Sequence, residues 1–162
     1  MWYDASTYIL PEQSFKFYKI PYEKQSQVLI NNWIGLGIHY INKEDYDFGD
    51  FNSRGDNRIP DELFPFEYWE ACGTTNNSWG YKSYDRDYKS VSGQLWWLIN
   101  IANKGGNYLL KVSQTSEEVI PEHSVSILRE VGKWMKSNGE VIYDIWNNMM
   151  EDAKRRSYFI EL

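Results

Sequence analysis

The chain has 162 residues, a formal net charge of −6 and a single cysteine. That length builds one ordinary domain and falls short of the roughly 250 residues of a complete α/β barrel. The charge, with no basic stripe, argues against nucleic acid, and one cysteine excludes an internal disulfide.

Met1 to Tyr3 is short and aromatic and reads as a strand end. It follows no basic n-region or apolar h-region, so no signal peptide is visible, and a chain complete as given is expected in the cytoplasm. No apolar run approaches the length of a membrane span. Pro11 opens a weak helical stretch that Pro21 is expected to interrupt. Gln27 to Asn32 holds Val28, Leu29 and Ile30, an apolar run that suits a strand buried on both faces. Gly35 to Glu62 follows, rich in Gly, Asp and Asn, with Pro60. This is loop chemistry, and loops of that length are usually functional or disordered.

Phe66 to Cys72 reads as another short strand. Cys72 itself reads as a small buried hydrophobe, since neither histidine, His39 or His123, has a recognisable spacing to it. Asn76 to Lys89 is polar and aromatic. Val91 to Asn103 is helical, with Val91, Leu95, Leu98, Ile99 and Ala102 on one face, and Gly105-Gly106 ends it. Tyr108 to Val112 reads as a strand. Pro121 to Lys136 carries the clearest helical stripe, Val125, Leu128, Val131, Trp134 and Met135, with Asn138-Gly139 as its stop. Val141 to Tyr143 reads as a strand, Met149 to Arg156 as a short helix and Ser157 to Ile160 as a strand stub. Lys154, Arg155 and Arg156 read as a solvated helix end.

Strands alternating with helices point to a parallel α/β layout. Four of the strand candidates alternate with helices or long loops, about half of an eight-stranded barrel, with long loops after strand ends, where barrel enzymes place their chemistry. Aromatics reach 17% of the chain: 8 Trp, 13 Tyr and 7 Phe. Such rings fill cores, and they also stack on the apolar faces of sugars.

Several motifs occur in order: Trp69-Glu70-Ala71-Cys72, Ser78-Trp79-Gly80-Tyr81, Lys104-Gly105-Gly106-Asn107-Tyr108-Leu109-Leu110, Val131-Gly132-Lys133-Trp134 and Asn138-Gly139-Glu140-Val141-Ile142-Tyr143. The set resembles the α-L-fucosidases of glycoside hydrolase family 29. The likeness extends back to Trp2-Tyr3-Asp4, Leu29-Ile30-Asn31-Asn32, Gly49-Asp50-Phe51 and Arg58-Ile59-Pro60. It implies a partial (β/α)8-type, TIM-like barrel, about its C-terminal half. Residues 1–148 are then the barrel piece, and residues 149–162 a tail leading toward a β-sandwich.

The resemblance also implies a retaining exo-glycosidase that removes terminal α-L-fucose from fucosylated oligosaccharides or glycosides, with no metal and no organic cofactor. Such a piece is expected to need a complementary N-terminal half or a second copy, and to be inactive without it. The alternative is a non-catalytic remnant or a sugar-binding piece. Asp4, after the Trp-x-Asp strand end, matches the family's nucleophile; a surface aspartate is its structural reading. For the acid/base, a forward count from Gly49-Asp50-Phe51 reaches Gly55, and a backward count from Ile59-Pro60 reaches Asp56. Asp56 also reads as a turn residue beside glycine. Trp2, Trp69, Glu70, Trp79 and Tyr81 are the expected pocket lining. Glu70 is placed at a strand end, either as a proton donor or as a structural carboxylate held beneath the pocket. Two departures from the family stand out. Trp33 occupies a position where the family commonly has Arg, and Lys111-Val112-Ser113-Gln114-Thr115 replaces Asn-Ile-Gly-Pro-Thr.

Overall fold

The computed structural model describes residues 1–4, 10–34, 49–64 and 67–157, the stretch from 144 onward as helical backbone. His39, Phe66 and the strand stub after Ser157 lie outside the described residues. The elements are α1 (Pro11–Lys24), β1 (Asn52–Asp56), β2 (Trp69–Thr74), α2 (Val91–Asn103), β3 (Asn107–Lys111) and α3 (Glu122–Ser157). The chain divides into two compact units. The first comprises residues 1–53 with 67–69, and the second residues 54–66 with 70–162.

In the first unit, α1 runs through Pro21 instead of stopping there. Proline has no N–H for the carbonyl of Phe17, four residues back. The Tyr3 hydroxyl supplies the lost donor, reaching the Phe17 oxygen at 3.0 Å. The apolar run Val28–Ile30 does not form a regular strand; Asn31 makes only an isolated parallel bridge with Phe51. The reason is that a side chain takes up the backbone there. The Asp50 carboxylate accepts from the Ile30 amide at 2.8 Å, while the Asp50 amide donates to the Ile30 carbonyl at 2.7 Å.

Met1–Tyr3 likewise carries no ladder of its own, yet it runs beside this segment in parallel fashion. The Met1 amino group donates to the Leu29 carbonyl, and the Asn31 amide donates to the Met1 carbonyl at 3.2 Å. That staggered pair is the parallel pattern. The fully buried Asn31 side chain then clamps Tyr3, accepting from its N–H at 2.7 Å and donating to its carbonyl at 3.0 Å.

The sheet has the order β1-β2-β3. β2 and β3 pair in parallel, from Glu70 opposite Asn107 to Thr74 opposite Lys111. Every residue of β2 is buried, as expected of a central parallel strand. Ala71 and Cys72 sit in the core with Ile101, Ala102 and Ile127. Cys72 is thus the small buried hydrophobe expected. α2 begins where the Ser90 hydroxyl accepts from the Gly93 amide at 3.1 Å, an N-cap bond. It ends at Gly105, whose φ of 79° is the left-handed value glycine adopts without strain.

α3 departs furthest from expectation. It passes through Asn138-Gly139 and absorbs the anticipated strand Val141–Tyr143 and the separate helix at Met149–Arg156. Asn138 does not cap: its amide donates back to the Trp134 carbonyl at 2.9 Å inside the helix. A mid-helix glycine costs about 1 kcal/mol, which packing outweighs. The helix runs on through 148 to Ser157. No described helix is long and apolar enough to cross a membrane.

Candidate active site

In parallel α/β sheets, chemistry gathers at the C-terminal ends of the strands. In the first unit, Asp4 follows directly on the clamped segment Met1–Tyr3, and it is exposed. Nearby, the Trp2 and Trp33 ring centroids are 5.0 Å apart at a tilt of 48°. Trp2 is 37% exposed, so part of its ring is open to a ligand. Trp69, also of this unit, is fully buried.

Asp50 organises the same unit. Besides the Ile30 amide, it accepts from the Tyr18 hydroxyl at 3.2 Å and from the Tyr22 hydroxyl. The bond to Asp50 holds the Tyr22 proton and pushes its pKa well above the usual phenol value, with the bond to Tyr18 adding to the effect.

In the second unit, Asp56 is the last residue of β1 and exposed. Asn57 follows in a left-handed conformation, φ 48°, and turns the chain. Gly55 is buried one residue earlier. A Cβ there would lie 2.2 Å from the Arg58 carbonyl oxygen and 3.0 Å from the Ala71 Cβ. No side chain fits without moving backbone, so of the two counts only the one reaching Asp56 lands on a position that can carry a carboxylate. Among the described residues, neither Asp4 nor Asp56 is engaged by an ion pair or hydrogen bond.

Glu70 is the second residue of β2, near its beginning, and 8% exposed. The anticipated strand started three residues earlier and placed it too far along.

The opposite end of β2 is built around Lys89. Its ammonium donates to the Thr74 carbonyl at 2.7 Å, the Thr74 hydroxyl at 3.2 Å and the Asn76 carbonyl at 3.3 Å. Burial pulls the Lys89 pKa below its usual value, against the opposing effect of Asp87 and Asp85. Gln94 donates to the same Thr74 carbonyl at 3.2 Å and accepts from the Tyr108 hydroxyl at 2.8 Å. Burial raises the Tyr108 pKa.

Beyond this plug the loop presents Trp79, 41% exposed, and Tyr81, 43% exposed. The Ser113 hydroxyl donates to the Trp79 carbonyl at 3.1 Å and ties down its base. The Asp85 carboxylate accepts from the Asn76 amide at 3.0 Å, from the Ser78 hydroxyl and from the Asp87 amide at 3.3 Å. Tyr81 enters a cleft of about 240 Å³ that also takes in Arg86, Tyr88 and His123. Those three were not singled out as site residues from sequence. The one signal for Arg86 and Tyr88 was the mixing of charge and aromatics in Asn76–Lys89, and nothing pointed to His123.

The sequence profile of the family described as Alpha-L-fucosidase matches residues 1–140. This chain belongs to the α-L-fucosidase family. The α-L-fucosidase of Dictyostelium discoideum is 36% identical over 77 residues, which cover 46% of this chain and 17% of that protein. Isoenzyme 1 from Paenibacillus thiaminolyticus is 33% identical, with a TM-score of 0.77 over 88% of this chain and 35% of its own. A mutant of the α-L-fucosidase AlfC, solved with 4-nitrophenyl α-L-fucopyranoside as substrate, is 28% identical with a TM-score of 0.64 over 82% of this chain and 37% of its own. The chain therefore spans well under two thirds of these relatives.

Proposed function

We propose that this chain forms part of the catalytic barrel of a retaining α-L-fucosidase, with Asp4 as nucleophile and Asp56 as acid/base. The carrying observation is that two unengaged carboxylates each close an extended segment: Asp4 after Met1–Tyr3, which runs parallel to the backbone at Leu29–Asn31, and Asp56 at the end of β1. Solved relatives of which this chain covers 35–37% support the reading that the remaining barrel strands complete the pocket, in the same polypeptide or a second one.

The chemistry needs two carboxyl groups about 5 to 5.5 Å apart. Asp4 attacks the anomeric carbon of a terminal α-L-fucosyl residue and the glycosidic C–O bond breaks. The Asp56 carboxyl gives its proton to the departing oxygen. Asp56, now ionised, takes a proton from water, whose oxygen attacks the same carbon and frees the Asp4 carboxylate. Trp2 and Trp79 supply stacking faces. The reaction needs no metal or organic cofactor. Aspartate is one methylene shorter than glutamate, and a displacement of about 1 Å in a proton donor costs on the order of 100-fold in rate.

A second reading, a sugar-binding remnant without catalysis, draws on Trp33. Beside Trp2 it presents an indole where the family commonly has the charged fork of arginine. Hydrolysis of a chromogenic aryl α-L-fucoside separates the two, assayed with the chain alone and joined to the rest of a relative's barrel. The enzyme reading expects turnover in the joined form and a loss of at least about 1,000-fold in Asp4→Ala. Binding of fucose without turnover in that form would establish the second reading.

A further inference from the structure

The cleft lined by Tyr81, Lys82, Arg86, Tyr88 and His123 is not used by the reaction described above. All its residues belong to the second unit, in the loop after β2 and the first turn of α3. Its volume of about 240 Å³ lies below the roughly 300 Å³ at which pockets for drug-sized ligands begin. That suits one sugar ring and not an oligosaccharide.

Three features define what it would hold. Tyr88 and His123 form an aromatic wall, their ring centroids 5.2 Å apart and 32° from parallel. Tyr81 is 43% exposed and offers a ring to a ligand face. Lys82 and Arg86 bring two cations that are in no ion pair among the described residues. The carboxylate in the lining, Asp85, is already taken up by its own loop through Asn76, Ser78 and the Asp87 amide. The nearby Asp87 carboxylate accepts from the Asn77 amide at 2.6 Å. The two cations of the lining outnumber its single carboxylate, in a chain whose net charge is −6.

We propose that this cleft binds an anionic monosaccharide unit, a uronate or a sugar sulfate, with its ring against Tyr81 and its acid group on Arg86 and Lys82. Aromatic faces suit the ring, and a guanidinium matches a carboxylate or sulfate with two parallel N–H donors. The choice of a sugar rests on the α-L-fucosidase reading. It names the substrates as fucosylated glycans that carry an acidic neighbouring residue.

Titration of the isotope-labelled full chain, followed by amide NMR, tests this. The probes are methyl glucuronide, galactose 6-sulfate, the two matching neutral sugars and inorganic sulfate. The expected result is saturable shifts at residues 81–88 and 121–123 with both acidic sugars, at a Kd of about 1–10 mM. The neutral sugars and sulfate alone should bind at least about 10-fold more weakly, about 1.4 kcal/mol. Arg86→Ala and Tyr81→Ala, both at exposed positions, should each weaken binding about 5-fold or more while leaving the rest of the spectrum in place, and Arg86→Lys should fall between. Sulfate binding as tightly as the sugar sulfate would reveal an adventitious ion only and overturn the proposal. Equal binding of neutral sugars, no shift in the cleft, or indifference to Arg86→Ala would overturn it as well. Asp4→Ala should leave the titration unchanged, and absence of hydrolysis by the unaltered chain in the joined form, with binding intact, would count against the catalytic reading alone.

Discussion

The two units hold parallel backbone in order by different means. In the second, β2 is buried from Glu70 to Thr74 and lies in a core with Ile101, Ala102 and Ile127, so burial fixes the strand. In the first, the same task falls to polar side chains: Asn31 clamps Tyr3, Asp50 takes the Ile30 amide, and the Tyr3 hydroxyl repairs the gap left by Pro21. Hydrogen bonds contribute about 1 kcal/mol each but are directional. Burial contributes more and directs less. The segment that carries Asp4 is thus held by the geometrically stricter of the two, as a nucleophile requires.

The contrast can be broken most forcefully in the apolar unit. Ile101→Ala should cost about 3–4 kcal/mol, seen as a lower denaturant midpoint. Asn31→Ala removes both bonds to Tyr3 and should cost about 2 kcal/mol, with faster hydrogen exchange at the Tyr3 amide than at β2 amides. If Asn31→Ala instead accelerated exchange equally in β2 and at Tyr3, the distinction between the units would fail.

The smallest effect sharpens the contrast through pH. Each unit holds a tyrosine whose pKa is raised above the usual phenol value of about 10, Tyr22 chiefly by its bond to Asp50 and Tyr108 by burial. The folded state then binds the phenolic proton more tightly than the unfolded state. The stabilisation is complete below pH 10 and is lost as pH rises beyond it. Alkaline titration of stability should show that fall, flattened in part by Tyr22→Phe and separately by Tyr108→Phe. An unchanged slope in both variants would contradict the assignment.

Much of the second unit was legible in the residues. The span of α2 and its Gly105-Gly106 stop follow from helical periodicity and left-handed glycine, although its buried residues are Gln94, Ile101 and Ala102, and only Ala102 belongs to the expected stripe. β3 lies within one residue of its expected span. α3 was misjudged at Asn138-Gly139, because a local stop signal is weak against continued packing and Asn138 found a carbonyl within the helix. The first unit was less legible. Its order comes from side chains 20 to 28 residues away from the backbone they bind, and no local pattern announces such pairs. The site followed the same division. The motifs led to Asp56 at the end of β1 and to the exposed Tyr81, whereas β2 starts three residues later than expected and so places Glu70 near its beginning, and the cleft that adds Arg86 and His123 forms only through the folding of the loop.

The central claim is that Asp4 is the carboxylate that bonds to the sugar. The direct measurement is to trap the intermediate with a fluorinated fucosyl fluoride on the chain joined to the rest of a relative's barrel, then locate the ester by peptide mass spectrometry. The account predicts a single fucosyl adduct on the peptide containing Asp4, absent in Asp4→Ala. An adduct on another carboxylate, or none in a folded protein that hydrolyses the aryl fucoside, would contradict it.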